Sequence, residues 1–218
     1  MAHTTFTVDT TLNEQAIDGV KTLLEGYGNV TVDVIEPKLT LEVYRDEDAS
    51  YYNPRDDDNL GTMFCRHGQY NLGDKGSLNP FEENDEGTYE LRKDVAFCLP
   101  IYMYDHSGLA FSHTPFNCRW DSGQVGWHYI TKARLKAVGL EIAPREQLRN
   151  YLEAELDVYD AWQQGRVYGF RITDEEGDEV DGCGGFIGDT WDAVKHMMEY
   201  IGDRFTEDEV RRSWEEAE

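Results

Sequence analysis

Four cysteines, Cys65, Cys98, Cys118 and Cys183, are spread through 218 residues without a CxxC pair. They are too few and too far apart for a disulfide framework, and reduced thiols are expected. No run approaches the roughly 20 apolar residues of a membrane helix. The opening Met1-Ala2-His3-Thr4-Thr5 lacks the basic and apolar regions of a signal peptide. The expectation is a soluble, cytoplasmic protein. Positive charge is also scarce: 20 Lys and Arg, of which 7 are lysine, stand against 44 Asp and Glu, for a formal net charge of −24. Residues 1–109 carry −13 and residues 110–218 carry −11, so the acidity is no terminal tail. A field of that sign repels nucleic acid and anionic membrane and attracts basic protein surfaces. Internal repeats and low-complexity linkers are absent as well.

What is present is enough to fold. A 39% hydrophobic and 12% aromatic content is too rich for a disordered chain, and the length suits one domain over 1–218. Leu12, Ile17, Val20, Leu23 and Leu24 recur at near-helical spacing over 11–26, with Gly26 and Gly28 as stops. Val30, Val32 and Val34, then Leu39, Leu41 and Val43, alternate on either side of Pro37 and predict two short strands or one bent strand. Residues 1–35 read as a possible appendage. From Asp46 to about Gly87 an acidic and then glycine-punctuated stretch shows little periodicity and reads as a long loop region.

Val95–Tyr104 reads as a buried strand, with Asp105-His106-Ser107-Gly108 turning into Leu109–His113, and Val125–Ile130 as a further strand. Leu148, Leu152, Leu156 and Tyr159 stripe a helix over Arg145–Gln163 that Gly165 can end. Val167–Ile172 and Val180–Ile187 predict a hairpin around Glu176-Gly177-Asp178. Asp189 is the N-cap candidate of a helix using Trp191, Val194, Met198, Ile201 and Phe205. Thr206-Glu-Asp-Glu opens a last helix as a capping box. The fold class is α+β: a central antiparallel sheet carrying amphipathic helices, a long acidic loop region and acidic C-terminal helices over 189–218.

Several constellations contain reactive residue types. Cys65 and His67 at C-x-H spacing, with His113 and Cys118 at H-x4-C, supply four possible zinc ligands, although no known finger has that spacing and such cysteines are more often small buried hydrophobes. Asp105, His106 and Ser107 are consecutive and cannot converge as a triad. His106 can still act as a general base oriented by Asp121, with His128 a further candidate; a hydrogen-bonded turn histidine is the plainer alternative. Gly182-Cys183-Gly184-Gly185-Phe186-Ile187-Gly188 has the composition of a phosphate loop, but its register is not GxGxxG and acidic residues follow it. A packed strand with close backbone approach fits better. No cofactor is implied.

The acidic clusters are Asp46, Asp48, Asp56, Asp57 and Asp58, and Asp174, Glu175, Glu176, Asp178, Glu179 and Asp181. Neither fits an EF-hand, because Tyr51 and Glu179 stand where the loop glycine must be. Residues 174–218 hold 16 acids and 4 bases, whereas 110–150 hold 3 acids and 6 bases. Carboxylates spaced like phosphates can occupy the basic groove of a nucleic-acid-binding protein; a salt-adapted acidic coat is the competing account.

Asp58-Asn59-Leu60-Gly61-Thr62-Met63, His67, Tyr70, Leu72-Gly73-Asp74, Tyr104-Asp105-His106-Ser107-Gly108 and Pro115-Phe116-x-Cys118-x-Trp120-Asp121-Ser122-Gly123-Gln124-Val125-Gly126 resemble a group of small bacteriophage-encoded proteins, over about residues 40–187. That group carries no known reaction, cofactor or catalytic residue. The resemblance implies a viral accessory protein in a bacterial or archaeal cytoplasm. The expectation is a non-enzymatic inhibitor of a nucleic-acid-handling defence system, such as a CRISPR effector or a restriction enzyme. It would bind a basic host protein or complex through Asp174–Asp181, Asp56–Asp58 and the C-terminal helices, without touching nucleic acid or membrane itself. The rival is a metal-assisted hydrolase or nucleotide-processing enzyme whose pocket gathers His67, Asp105, His106, His113, Cys118, Asp121 and His128. A virion or assembly component is a third reading.

Overall fold

The computed structural model describes residues 4–9, 30–35, 38–46, 51–188 and 190–217, with backbone alone for 4–9, 30–35, 190–192, 214, 216 and 217. The helix expected over 11–26, the Asp189 cap and Asp48 lie outside the described residues. β1 (Thr4–Asp9) and β2 (Val30–Ile35) pair in parallel.

The largest sheet is antiparallel and places β4 (Thr62–Cys65), β9 (Ser122–Thr131), β7 (Val95–Asp105) and β8 (Leu109–Ser112) side by side in that order. Along β7 burial alternates strictly: Val95, Phe97, Leu99, Ile101 and Met103 point inward, while the residues between them are half-exposed. The apolar run is thus a one-face strand rather than one buried on both faces. Pro100 sits opposite Trp127 of β9, before the pairing with β8 begins at Tyr102. There a missing N–H costs no ladder bond on the far side. Ser107 and Gly108, with φ of 62° and 155°, make the turn into β8.

Helix α1 (Lys132–Ala137) is capped by the Thr131 hydroxyl, and α2 spans Arg145–Gln163. The expected stripe of Leu148, Leu152, Leu156 and Tyr159 is buried on the inner sheet face. Leu148 and Leu152 pack with Phe97, Leu99, Ile130 and Leu135; Leu156 and Tyr159 pack with Met63, Ile101, Met103 and Phe111. Gly165, with φ of 66°, turns the chain out of the helix.

A second, three-stranded antiparallel sheet runs β11 (Glu179–Ile187), β10 (Val167–Thr173), β3 (Thr40–Arg45). α3 (Thr190–Ile201) and α4 (Glu207–Ala217) pack on it around Val43, Phe170, Ile172, Phe186, Val194, Met197, Ile201 and Val210. The buried methionine is Met197; Met198, the residue expected inside, is only partly buried, because the inward stripe runs Ala193, Val194, Met197, Ile201. The capping box forms as written: the Thr206 N–H donates to Glu209 Oε2 at 2.8 Å, and the Glu209 N–H donates to Thr206 Oγ1 at 3.4 Å. The outer edge of β3 is covered where the Val43 N–H donates to Ser213 Oγ of α4. Among the described residues the antiparallel pattern is therefore divided between these two sheets and a separate two-stranded hairpin.

The stretch expected to be a long acidic loop holds more structure than its composition suggests. It contains a 3-10 turn at Pro54–Asp56, strand β4 and strand β5 (Phe81–Glu83), whose hairpin partner β6 (Tyr89–Leu91) follows just beyond it. β4 is four residues long, too short for alternation to reveal it. It is held tightly against β9 by Gly126, where a methyl group would collide with the Phe64 carbonyl and lie 2.8 Å from Cys65 Cα. Gly126→Ala is expected to lower stability by about 3 kcal/mol, the upper range for overpacking against rigid backbone, as a fall in the urea midpoint at unchanged slope.

Candidate functional site

The 3-10 turn buries Pro54 and Arg55. Asn53 caps it by accepting from the Arg55 N–H at 3.0 Å, and Arg55 is only 8% exposed. Its guanidinium makes a fork with Asp74, Nε to Oδ1 at 2.8 Å and Nη2 to Oδ2 at 3.1 Å. It also donates to Glu155 Oε2 at 3.2 Å and to the Gly61 carbonyl at 2.7 Å. Glu155, on the face of α2 turned toward this turn, accepts from the Leu60 N–H at 2.6 Å and from the Gly61 N–H at 3.1 Å. Asp74 accepts from the Met63 N–H at 2.9 Å. One guanidinium and two carboxylates thereby fix the entry into β4, the loop after it and the middle of α2. Gly61 has no room for more: a methyl group there would run into Leu152 and His128.

His128 lies beneath this cluster, fully buried on β9. Its Nε2 is 3.1 Å from Glu155 Oε2, and its Nδ1 is 3.4 Å from His113 Nε2. A carboxylate only accepts, so Nε2 of His128 carries the proton. Burial holds His128 neutral, pushing it down to about 4 even though Glu155 pulls the other way. Its Nδ1 is then an acceptor, and His113 Nε2 is the donor to it. His113 Nδ1 in turn faces the Pro100 carbonyl at 2.7 Å, and the Leu152 carbonyl lies 3.3 Å from Nε2. The chain thus runs from Glu155 through both rings to the Pro100 carbonyl. Arg55 faces both Asp74 and Glu155. Burial would raise Glu155, but the hydrogen bond from His128, the Arg55 charge and the Gly61 N–H hold it below the usual carboxylate range.

Arg55 and Asp74 also form part of the wall of a cleft of about 1120 Å³. Its other wall is the loop after β4, closed where Phe64 bridges Gly73 and where the Asp74 N–H returns to the Met63 carbonyl at 2.9 Å. This loop carries Arg66, His67, Tyr70 and Asn71 into the cleft lining. His67 stacks on Tyr70 with ring centres 5.0 Å apart, and the Tyr70 hydroxyl donates to Asp105 Oδ2 at 2.9 Å.

The residues singled out in the sequence fall into separate places. His106 Nδ1 does meet Asp121 Oδ2, at 3.4 Å, on an exposed turn, and Cys118 Sγ lies 3.7 Å from the same oxygen. Asp105 is joined to them through its N–H, which donates to the Asp121 carbonyl at 2.7 Å. His113 and His128 belong to the buried chain, and Cys65 and His67 to the cleft. Among the described residues no three His, Cys, Asp or Glu side chains are grouped to hold a metal ion. The four cysteines are free, and burial pushes the Cys65 and Cys98 thiols up to about 12, which leaves them protonated. Arg55 and Glu155 were not singled out by the sequence reading; the pattern that carries them is a lone arginine after proline and a glutamate beside a leucine stripe.

The acidic residues also divide. Asp57 accepts from the Tyr52 hydroxyl and Asp58 pairs with Arg134 at 2.6 Å, beside the cleft. Asp174, Glu175, Glu176, Asp178 and Glu179 form the tip of the β10–β11 hairpin, where all but the half-buried Asp174 are exposed, and Asp181 pairs with Arg204 at 2.6 Å. No helix among the described residues is long and apolar enough to cross a membrane. Comparison with protein-family models, with curated proteins and with solved structures gives no match.

In the unfolded chain His128 takes a proton near its ordinary 6.5, whereas in the folded protein it stays neutral to about 4. The unfolded state therefore binds more protons across that window, and stability falls as pH drops from 6.5 to 4, by up to about 3 kcal/mol. Urea midpoints measured across this range should show the slope in the wild type and a much smaller slope in His128→Gln. Glu155→Ala is expected to cost about 3–5 kcal/mol, because it strands buried charge, as a lowered thermal midpoint.

Proposed function

We propose that the chain is a non-enzymatic binding protein that presents an acidic face to a basic, nucleic-acid-binding partner, and that it serves as a phage accessory inhibitor of a CRISPR- or restriction-type system in the host cytoplasm. The observation that carries this reading is the hairpin tip between β10 and β11, where Glu175, Glu176, Asp178 and Glu179 are exposed together. These residues lie in and beside the turn between Thr173 and Glu179, which gathers negative charge at one exposed end of the sheet. Carboxylates so gathered can stand in for phosphates in a cationic groove. The acidic first turn of α4, with Glu207, Asp208 and Glu209, belongs to the helices packed on the same three-stranded sheet. Asp56 to Asp58 play a lesser part in this reading, because Asp57 and Asp58 are already engaged by Tyr52 and Arg134.

The dispersal of the histidines weighs against the hydrolase. His67 is in the cleft, His106 on an exposed turn, and His113 with His128 in a closed hydrogen-bonded chain. A general base must reach substrate, and His128 is fully buried.

The test is capture from host lysate on the immobilised protein and on a variant carrying Glu175→Gln, Glu176→Gln, Asp178→Asn and Glu179→Gln. A nucleic-acid-binding protein or complex should be retained by the wild type near 50 mM salt, be released toward about 200 mM, be displaced by duplex DNA, and bind the variant at least about tenfold more weakly. Equal retention by the variant, or indifference to DNA, overturns the reading.

A further inference from the structure

We propose that the cleft beside Arg55 is a binding site for a small nucleotide-like anion, a planar ring joined to a phosphate, and that it acts independently of the acidic hairpin. In a chain of net charge −24, the cleft wall carries Arg55, Arg66 and Lys75 against Asp56 and Asp74. Asp74 is consumed by the Arg55 fork and the Met63 N–H, and Arg55 is balanced within the buried cluster by Asp74 and Glu155. What remains toward the opening is Arg66 and Lys75 opposed by Asp56 alone of the lining residues. Two exposed cations thus line one concavity, the Arg66 guanidinium lying over the Phe64 ring at 5.4 Å from its centre. That is the electrostatic requirement for holding an anion on a protein whose overall field repels one.

The second requirement, a ring platform, is met by the same loop. His67 and Tyr70 stack nearly parallel, with an interplanar angle of 19°, and both line the cleft. Their orientation is fixed from behind. The Tyr70 hydroxyl is tied to Asp105, and His67 Nδ1 accepts from the Gln69 N–H at 3.3 Å, which leaves Nε2 as its donor. Asn53 and Asn71 add amide groups to the lining, able to read a ring edge or a sugar hydroxyl. The volume of about 1120 Å³ is ample for a nucleotide. The loop itself is short and closed at its neck by the Phe64–Gly73 bridge, and its base is anchored through Asp74 to Arg55. The backbone of a loop so constrained is set before any ligand arrives.

Calorimetric titration of the full-length protein with ADP, with adenosine and with inorganic phosphate tests the site. ADP should bind saturably below about 1 mM, with adenosine and phosphate each at least about tenfold weaker, since each engages only half of the lining. The double variant Arg66→Gln, Lys75→Gln alters exposed side chains and should keep the wild-type thermal midpoint. It should weaken ADP by about tenfold or more while leaving adenosine unchanged. Tyr70→Leu should weaken both ADP and adenosine. The hairpin variant described above should bind ADP as the wild type does. Absence of saturable binding up to about 5 mM ADP, or an unchanged ADP affinity in the Arg66, Lys75 double variant, overturns the proposal; phosphate binding as tightly as ADP removes the ring subsite from it.

Discussion

Glu155 is the residue around which the larger half of this molecule is arranged. Its carboxylate receives the Arg55 guanidinium, the Leu60 and Gly61 N–H groups and the His128 ring. These donors come from a 3-10 turn, from the entry to β4 and from β9, so one side chain on α2 satisfies groups from segments distant in the chain. Buried charge is costly to isolate and tolerable when every lone pair is engaged. The cluster meets that condition, with Asp74 completing the neutralisation of Arg55 and the His128–His113 chain ending on the Pro100 carbonyl. The apolar stripe of α2 sets how the helix lies on the sheet, and the polar cluster sets its register along it.

This constraint also positions the cleft. Asp74 stands at the end of the loop that carries Arg66, His67 and Tyr70, and its grip on Arg55 closes that loop onto β4. The surface then divides by sign. The β10–β11 hairpin concentrates uncompensated carboxylates on the three-stranded sheet, whereas several acids near the cleft are matched by Arg55 and Arg134. A coat adapted only to salt has no need of such a division. The two binding surfaces proposed above, of opposite character on one small chain, would account for it.

Much of the fold was legible in the residues themselves. The leucine stripe of α2, the apolar run of β7, the turn at Asp105–Gly108, the β10–β11 hairpin and the Thr206 capping box each rest on interactions between near neighbours, and each is found where its pattern predicts it, although β7 buries one face alone. Strand β4 was hidden because four residues are too few to establish a period, and because its partner is β9, about sixty residues later. The His106–Asp121 pair could be anticipated because both residues flank turns. Arg55 and Glu155 could not, since nothing in the neighbourhood of either announces a partner a hundred positions away.

The sequence by itself determined the class of the protein: an acidic α+β chain with reduced cysteines, its helices and hairpins set by periodicity, caps and turn residues. Those are local effects, decided within a few residues. The tertiary structure decided which charges are balanced and which are left facing outward. It also divided one expected sheet into several, and separated the candidate histidines into a closed chain, an exposed turn and a cleft. Those outcomes depend on desolvation and on distances between remote segments, and such quantities exist only once the chain has folded.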